Sequence, residues 1–265
     1  YSIVGMGMSF KSPIKEPNNF VSSDYLKQLI PKERKISSFL LFSGEIEFPL
    51  YSDGYDIHIN TNKYVIYEFW HCARNNSHNI ANQAIGIHKR THPQSIFHYQ
   101  DEWPKYRDPY LRSALFYLLN RYSPNGTISH GEVRKENFSL LSIETLKRFD
   151  QFSKNLNLHY YKKDDFLDGL DRVDKDDLIL LPIGKYSYNL IGKQTYKGYE
   201  TYHIDHDKIK QKLIELGNDF VMVYKKHPRI LQDFGEFNHL FINKFGKKTN
   251  RLDLAEDIII TNLSV

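Results

Sequence analysis

The strongest constraint on the fold is an alternation of element types in the second half of the chain. Short apolar runs at residues 178–182, 220–224 and 256–261 have the length of buried strands, and a further strand is expected at 156–160. Between and before them lie helical patterns at 142–155, 164–173 and 205–216, with Asp205 or Asp207 placed to serve the last helix's N-terminus. Strands that alternate with helices predict an α/β fold, a mainly parallel sheet with helices on both faces. In the first half, residues 38–42 and 55–60 read as two more strands, followed by a helical pattern at 63–74.

From about residue 75 to residue 136 the composition shifts to His, Asn, Gln, Arg and Tyr, with one clear helix at 109–121. The predicted organisation is therefore an α/β core made of residues 1–74 and 137–265, interrupted by a helical insertion at 75–136.

Hydrophobic residues make up 40% and charged residues 26% of the 265. No apolar run approaches the roughly 18 residues of a membrane span, so no membrane partner is expected. The residues from Tyr1 to Gly7 lack the pattern of a secretory signal. Cys72 is the only cysteine, which rules out an internal disulfide, a cysteine-based zinc site and an iron–sulfur cluster, and points to a reducing intracellular compartment. Four Asn-x-Ser/Thr matches, at Asn75, Asn125, Asn137 and Asn262, read as chance in a chain so rich in these residues. The Asn, Lys, Ile and Tyr content suggests an AT-rich genome, as in some viruses. A net charge of +4 is compatible with a polyanion partner without requiring one.

Several constellations reduce to structural readings. Gly5-x-Gly7 lacks the third glycine of a dinucleotide fingerprint. The acidic stretch from Asp164 to Asp177 lacks the spacing of a calcium loop, and His203 with His206 has no third ligand cluster, so no metal is expected. His88-Lys89-Arg90-Thr91-His92 reads as a basic loop near Phe97, Tyr99, Trp103 and Tyr106, a pattern suited to phosphates and bases. Residues 120–126 close the insertion's helix through Pro124 and Asn125-Gly126, either as a structural turn or as a ligand-facing loop.

Taken in order, the segments resemble the Dam/DpnII family of adenine-specific DNA methyltransferases over nearly the whole chain. Ser12-Pro13-Ile14-Lys15 is similar to the family's opening motif, Leu29-Ile30-Pro31 to the next, Phe42-Ser43-Gly44 to its glycine turn and Ile59-Asn60 to a strand end. Leu119-Asn120-Arg121 with Asn125-Gly126 resembles the segment closing the target-recognition insertion. Residues 177–180, 220–223 and 256–262 resemble three later strands.

The resemblance implies a Rossmann-like methyltransferase fold that binds S-adenosylmethionine, with a helical target-recognition insertion. It also exposes losses. The catalytic Asp-Pro-Pro-Tyr position is occupied by Pro182-Ile183-Gly184-Lys185 ahead of Tyr186, with no acid to accept hydrogen bonds from a flipped adenine. Ile46 replaces a glycine of the cofactor turn, Thr61 stands where an Asp would hold the ribose, and Glu16-Pro17-Asn18-Asn19 replaces a Gly-Gly-Lys turn. The remaining cofactor-site positions are Lys15, Phe42, Gly44 and Asn60.

The leading expectation is a catalytically inactive homologue without a cofactor, retained for binding double-stranded DNA or as an assembly subunit. Lys89, Arg90, Asn120, Arg121, Asn125, Gly126 and Arg134 are its candidate DNA contacts. Two alternatives stand beside it. One is an active enzyme with divergent motifs, in which Asp176 or Asp177 lies near the acceptor and Tyr186 stacks on the base. The other is a purely structural component of a larger complex, which an exposed aromatic patch away from the insertion would favour.

Overall fold

The computed structural model describes residues 10–128, 132–152, 155–186, 189–195, 198–202 and 204–265. The first segment of the chain, with Gly5 and Gly7, and His203 lie outside them.

The mainly parallel α/β sheet is present. It has eight strands in the order β3-β2-β1-β4-β7-β10-β8-β9, formed by β1 (Ile36–Ser38), β2 (Ile57–Thr61), β3 (Asn157–Tyr160), β4 (Leu178–Gly184), β7 (Phe220–Lys225), β8 (Asn238–Asn243), β9 (Lys248–Thr249) and β10 (Ala255–Thr261). The pairs β3–β2, β2–β1, β1–β4 and β4–β7 are parallel, whereas β10 runs antiparallel to both β7 and β8. A separate hairpin, β5 (Asn189–Thr195) with β6 (Gly198–Tyr202), follows β4.

Strand alternation shows how the two faces are covered. Leu178, Leu180, Val221 and Val223 join one apolar cluster, while Ile179, Leu181, Phe220 and Met222 join the other. The first cluster is completed by α1 (Ser23–Leu29), α2 (Glu47–Ser52), α3 (Tyr64–Arg90) and α5 (Pro109–Tyr122), the second by α8 (His206–Leu216) and α9 (Ile230–Asp233). All seven residues of β4 are buried, as a central strand covered on both faces requires. Shorter helices complete the chain: α4 (Ile96–Glu102), α6 (Leu141–Lys147) and α7 (Phe149–Phe152).

Local chemistry explains the helix boundaries. Asp205 caps α8 by accepting from the Lys208 N–H (3.0 Å), and Gly217, at φ 72°, ends it. Asp108 caps α5, with Pro109 at its first position. Within α3, Asn76 leaves helical geometry (φ −159°, ψ 76°) and its side chain accepts from the Asn79 N–H, capping the second half afresh. The break falls beside residue 75, yet the helices beyond it share one continuous apolar cluster with the sheet.

Four expectations need correction. The first strand is 36–38 rather than 38–42, because Leu40 adopts a left-handed backbone (φ 71°) that cannot continue a strand. Residues 166–172 wind as a 3-10 rather than an α-helix, with Asp165 capping the Leu167 N–H and the Tyr161 hydroxyl donating to the Phe166 carbonyl. The single helix expected at 142–155 is split into α6 and α7, and the Lys147 carbonyl accepts from the Ser77 hydroxyl. The basic segment 88–92 is not a loop throughout, since His88, Lys89 and Arg90 form the last turn of α3.

Candidate functional site

The chain runs β1 to β2 to β3 toward one edge, then crosses to β4 on the other side of β1, so the sheet has a topological switch point between β1 and β4. Ligands of open α/β sheets bind outside the carboxyl ends of the strands at such a point. A pocket lies there, lined by Glu16, Asn18, Leu40, Gly44, Glu45, Glu47, Pro182, Ile183 and their neighbours. Residues from the turn at 16–19, the turn around Gly44 and the end of β4, far apart in sequence, therefore meet at one place.

The pocket is filled from within. Gly184 has φ 81°, and a Cβ there would lie 2.1 Å from the Asn18 side chain, which itself accepts from the Lys185 N–H (2.9 Å). Gly44 has φ 74°, and a Cβ there would lie 2.2 Å from the Phe48 ring, which packs edge-on against Trp70. Both close-approach glycines thus face the protein's own side chains. The remaining cavity is about 30 Å³, room for about one water and far below the several hundred Å³ of a small-molecule site. An adenosyl cofactor would enter only if Asn18 and Phe48 moved.

Three carboxyls converge on this cavity, although Glu16 lies far from the other two in sequence. Glu16 accepts from the Ser43 hydroxyl (2.7 Å) and the Asn18 N–H (3.0 Å). Burial raises its pKa, and these hydrogen bonds oppose the shift. Glu45 is pushed up to about 7 by burial and then by the charge of Glu16, against the pull of Lys225. Glu47, buried at the start of α2 and accepting from the Ser38 hydroxyl, is pushed up to about 8, chiefly by burial. The detectable signal was the run Gly44-Glu45-Ile46-Glu47, acids set immediately after an apolar strand.

These shifts have a consequence for stability. Between the ordinary carboxyl value of 4.5 and about 8 the folded chain binds more protons than the unfolded chain. The stability they contribute is complete below that range and lost as pH rises through about 7 and 8. Melting temperature is expected to fall from about pH 5 to about 8.5, and Glu47→Gln to flatten the fall. Equal pH slopes in parent and variant would show that Glu47 is not the source.

Other expected cofactor positions serve the fold. The Lys15 ammonium donates to the carbonyls of Arg121 (2.9 Å) and Ser123 (2.7 Å) at the end of α5, and burial with the Arg121 charge lowers its pKa. Asn60 donates to the carbonyls of Ser38 and His58, and the buried Thr61 hydroxyl accepts from the Lys63 N–H. Phe42 lines the pocket, and its carbonyl accepts from the Trp70 indole.

Tyr186 is not open to stack on a base. Its ring lies flat between His206 (3.9 Å, 8°) and His227 (4.5 Å, 9°), and its hydroxyl donates to Asp233. Burial, and then that contact, push its pKa up to about 12. Because the Tyr186 carbonyl can only accept, His206 Nε2 carries the proton and Nδ1 accepts from the Tyr224 hydroxyl. Asp176 and Asp177 lie at the amino end of β4, where Asp177 accepts from the Ser37 hydroxyl. Seven strand residues, roughly 20 Å, separate them from the pocket end.

The candidate DNA contacts divide. Lys89 and Arg90 are exposed, with no carboxylate partner among the described residues. Arg134 is exposed and paired with Glu132. Arg121 is half-buried, and its Nε has no hydrogen-bond partner. The exposed Asn125 shapes its own turn by accepting from Ser123 and from the Thr127 N–H. Asn120 and Gly126, expected on a DNA-facing surface, are buried. Asn120 accepts from the Lys15 N–H (2.7 Å) and donates to the carbonyls of Lys15 and Gly126. Gly126 has φ 85°, and a Cβ there would meet the Lys15 carbonyl at 2.7 Å. Gly126→Ala is accordingly expected to destabilise the chain by about 1–3 kcal/mol, measured by urea unfolding. An unchanged midpoint would mean that the turn adapts.

Among the described residues no group of three or more His, Cys, Asp or Glu could hold a metal ion. No helix among them is long and apolar enough to cross a membrane. Neither the known family models nor the curated proteins give a match to this chain.

Proposed function

We propose that this chain is a catalytically inactive homologue of the Dam/DpnII-type adenine-specific DNA methyltransferases, retained to bind double-stranded DNA through residues 75–136. The observation that carries the reading is the state of the switch-point pocket. Asn18 and Phe48 fill the two glycine cradles, and the strand that should present an acid and a free aromatic ring ends instead in Pro182, Ile183, Gly184 and Lys185. The doubly wound strand order through β7 supports it, because it brings the segments of the family resemblance to one pocket.

The test has two arms. Calorimetric titration with S-adenosylmethionine should give no heat up to about 1 mM, and the purified protein should transfer no methyl group to adenine in duplex DNA. Micromolar binding with transfer would restore the active enzyme. In the second arm, duplex binding should weaken with salt. Replacing Lys89 and Arg90 by Ala should reduce the slope of log affinity against log salt by about 2, one phosphate for each cation. A slope unchanged by both substitutions would remove them from the DNA surface.

A role as a subunit of a larger assembly also has an observation behind it. Leu140 and Leu141 are adjacent, 60% and 80% exposed, at the start of α6. Sedimentation of the parent against Leu141→Lys tests that reading, which predicts an associated parent and a dissociated variant.

A further inference from the structure

A ring cluster unconnected with the pocket lies at the β3 edge of the sheet. Tyr64 and Tyr67 open α3 and Tyr160 ends β3, with ring centroids 5.4 Å apart for Tyr64–Tyr160, 5.9 Å for Tyr67–Tyr160 and 6.3 Å for Tyr64–Tyr67. His71 stacks on Tyr67 at 5.4 Å. Tyr64 is 45% and Tyr160 38% exposed, although both have partners with which they could have packed away. The tyrosines meet edge-on or tilted, at 36° to 74°, and the Tyr64–Tyr160 contact, one edge on one face, leaves each of these two rings a face that the pair does not cover.

The turn that follows carries Lys162 and Lys163. Both are exposed, and neither has an ion-pair partner among the described residues. The turn is fixed beside the start of α3, since the Asn62 amide donates to the carbonyls of Lys163 (3.0 Å) and Asp164 (3.2 Å) and the Tyr161 N–H donates to the Thr61 carbonyl. Asp164 is the carboxylate of that turn. Exposed rings and unpaired ammonium groups are therefore held together on one rigid edge.

We propose that this edge binds a single-stranded nucleic acid, with unpaired bases on Tyr64 and Tyr160 and phosphates on Lys162 and Lys163. Aromatic faces accept any base, and nearby cations track the backbone of the strand. An exposed aromatic patch outside residues 75–136 also meets the expectation for a subunit of a larger complex, but lysine is depleted from protein interfaces, whereas here two lysines follow the rings. The surface lies outside residues 75–136, so the inference does not depend on duplex binding there.

The test is fluorescence anisotropy with a labelled oligothymidine of about 15 nucleotides and with a duplex of equal length, using the full chain. The parent should bind the single strand. Tyr64→Ala with Tyr160→Ala should weaken that binding about 10- to 100-fold, whereas the two Phe substitutions should keep most of it. Lys162→Ala with Lys163→Ala, on exposed side chains, should lower the salt slope by about 1.4 and serves as the readout if the tyrosine-to-Ala variants fail to fold. Variants of Lys89 and Arg90 should weaken single-strand binding less than the tyrosine variants do. The proposal is overturned if the parent does not bind the strand, or if both the tyrosine and the lysine pairs can be replaced without loss. Strand binding lost only with Lys89 and Arg90 would assign it to the insertion. Self-association abolished by the tyrosine substitutions, without oligonucleotide binding, would make the edge a protein interface.

Discussion

Asp257→Ala is expected to destabilise the folded chain by about 3–5 kcal/mol, the cost of leaving a buried charge without its partner. Asp257 lies on β10 with no exposed surface, and its two oxygens accept from the Lys225 ammonium (2.6 Å), the Ser22 hydroxyl (2.5 Å) and the Val21 N–H (2.9 Å). Lys225, on β7, is only 17% exposed in its side chain and would keep just its bond to the Asn19 carbonyl (3.1 Å), so little water can replace what the carboxylate supplied. The loss should appear as a lower urea midpoint with an unchanged slope, and as a fall of roughly 8–15 °C in Tm. Asp257→Asn, which keeps one acceptor, should fall between parent and Ala. A change of less than about 1 kcal/mol in the Ala variant would mean that Lys225 and the amides find other partners.

Asn120→Ala is expected to cost about 3 kcal/mol, because three backbone groups lose their partner at once. The Lys15 N–H, the Lys15 carbonyl and the Gly126 carbonyl all bond to this one buried amide. Each buried group left unmade costs about 1–3 kcal/mol, reduced here to the extent that water enters. The substitution also separates two roles that the family resemblance runs together. Loss of DNA affinity in Asn120→Ala should track loss of folded protein in a thermal melt, whereas loss in the Lys89 and Arg90 variants should leave the melt unchanged. An Asn120→Ala protein of parental stability that fails to bind DNA would return this residue to the contact surface.

The elements legible in the sequence were those with a strong period and a clear stop. β4, β7, β10 and α8 match their expected spans to within about two residues, since apolar runs in central strands admit one reading and Asp205 and Gly217 bracket the helix. β8 was missed because its ends are Asn238, His239 and Asn243, which dilute a short alternation. The two helices of 141–152 depend on a distant partner, Ser77, that no local pattern reveals, and the 3-10 segment at 166–172 on the hydroxyl of Tyr161, a side-chain contact only five residues away that periodicity does not show.

The candidate site was legible in its losses and not in its contents. The missing acid and glycines could be read position by position, but convergence of Glu16 with Glu45 and Glu47 is a property of the fold. The same holds for Lys15 and Asn120, which read as ligand-facing and turned out to hold each other. Tyr64 and Tyr160 lie 96 positions apart, and only the packing of α3 beside β3 makes them one surface.

The stretch from Lys15 to Ser22 joins parts of the molecule that are made at very different times. It bonds to residues 105 to 108 positions later on α5 and its turn, 167 later at Lys185, and 235 and 236 later at Asp257. These are among the longest loops the chain can close, and the entropy of closing them must be met before their contacts contribute. This stretch cannot complete its bonds until β10, with Asp257 lying 235 positions after Ser22, has emerged and inserted between β7 and β8. Until then Ile14 and the Glu16 carboxyl have no settled place, and the pocket that Asn18 closes stays open. Pulse-labelling hydrogen exchange during refolding should therefore show the Lys15, Val21 and Lys185 amides among the last to become protected, after those of β4 and β7.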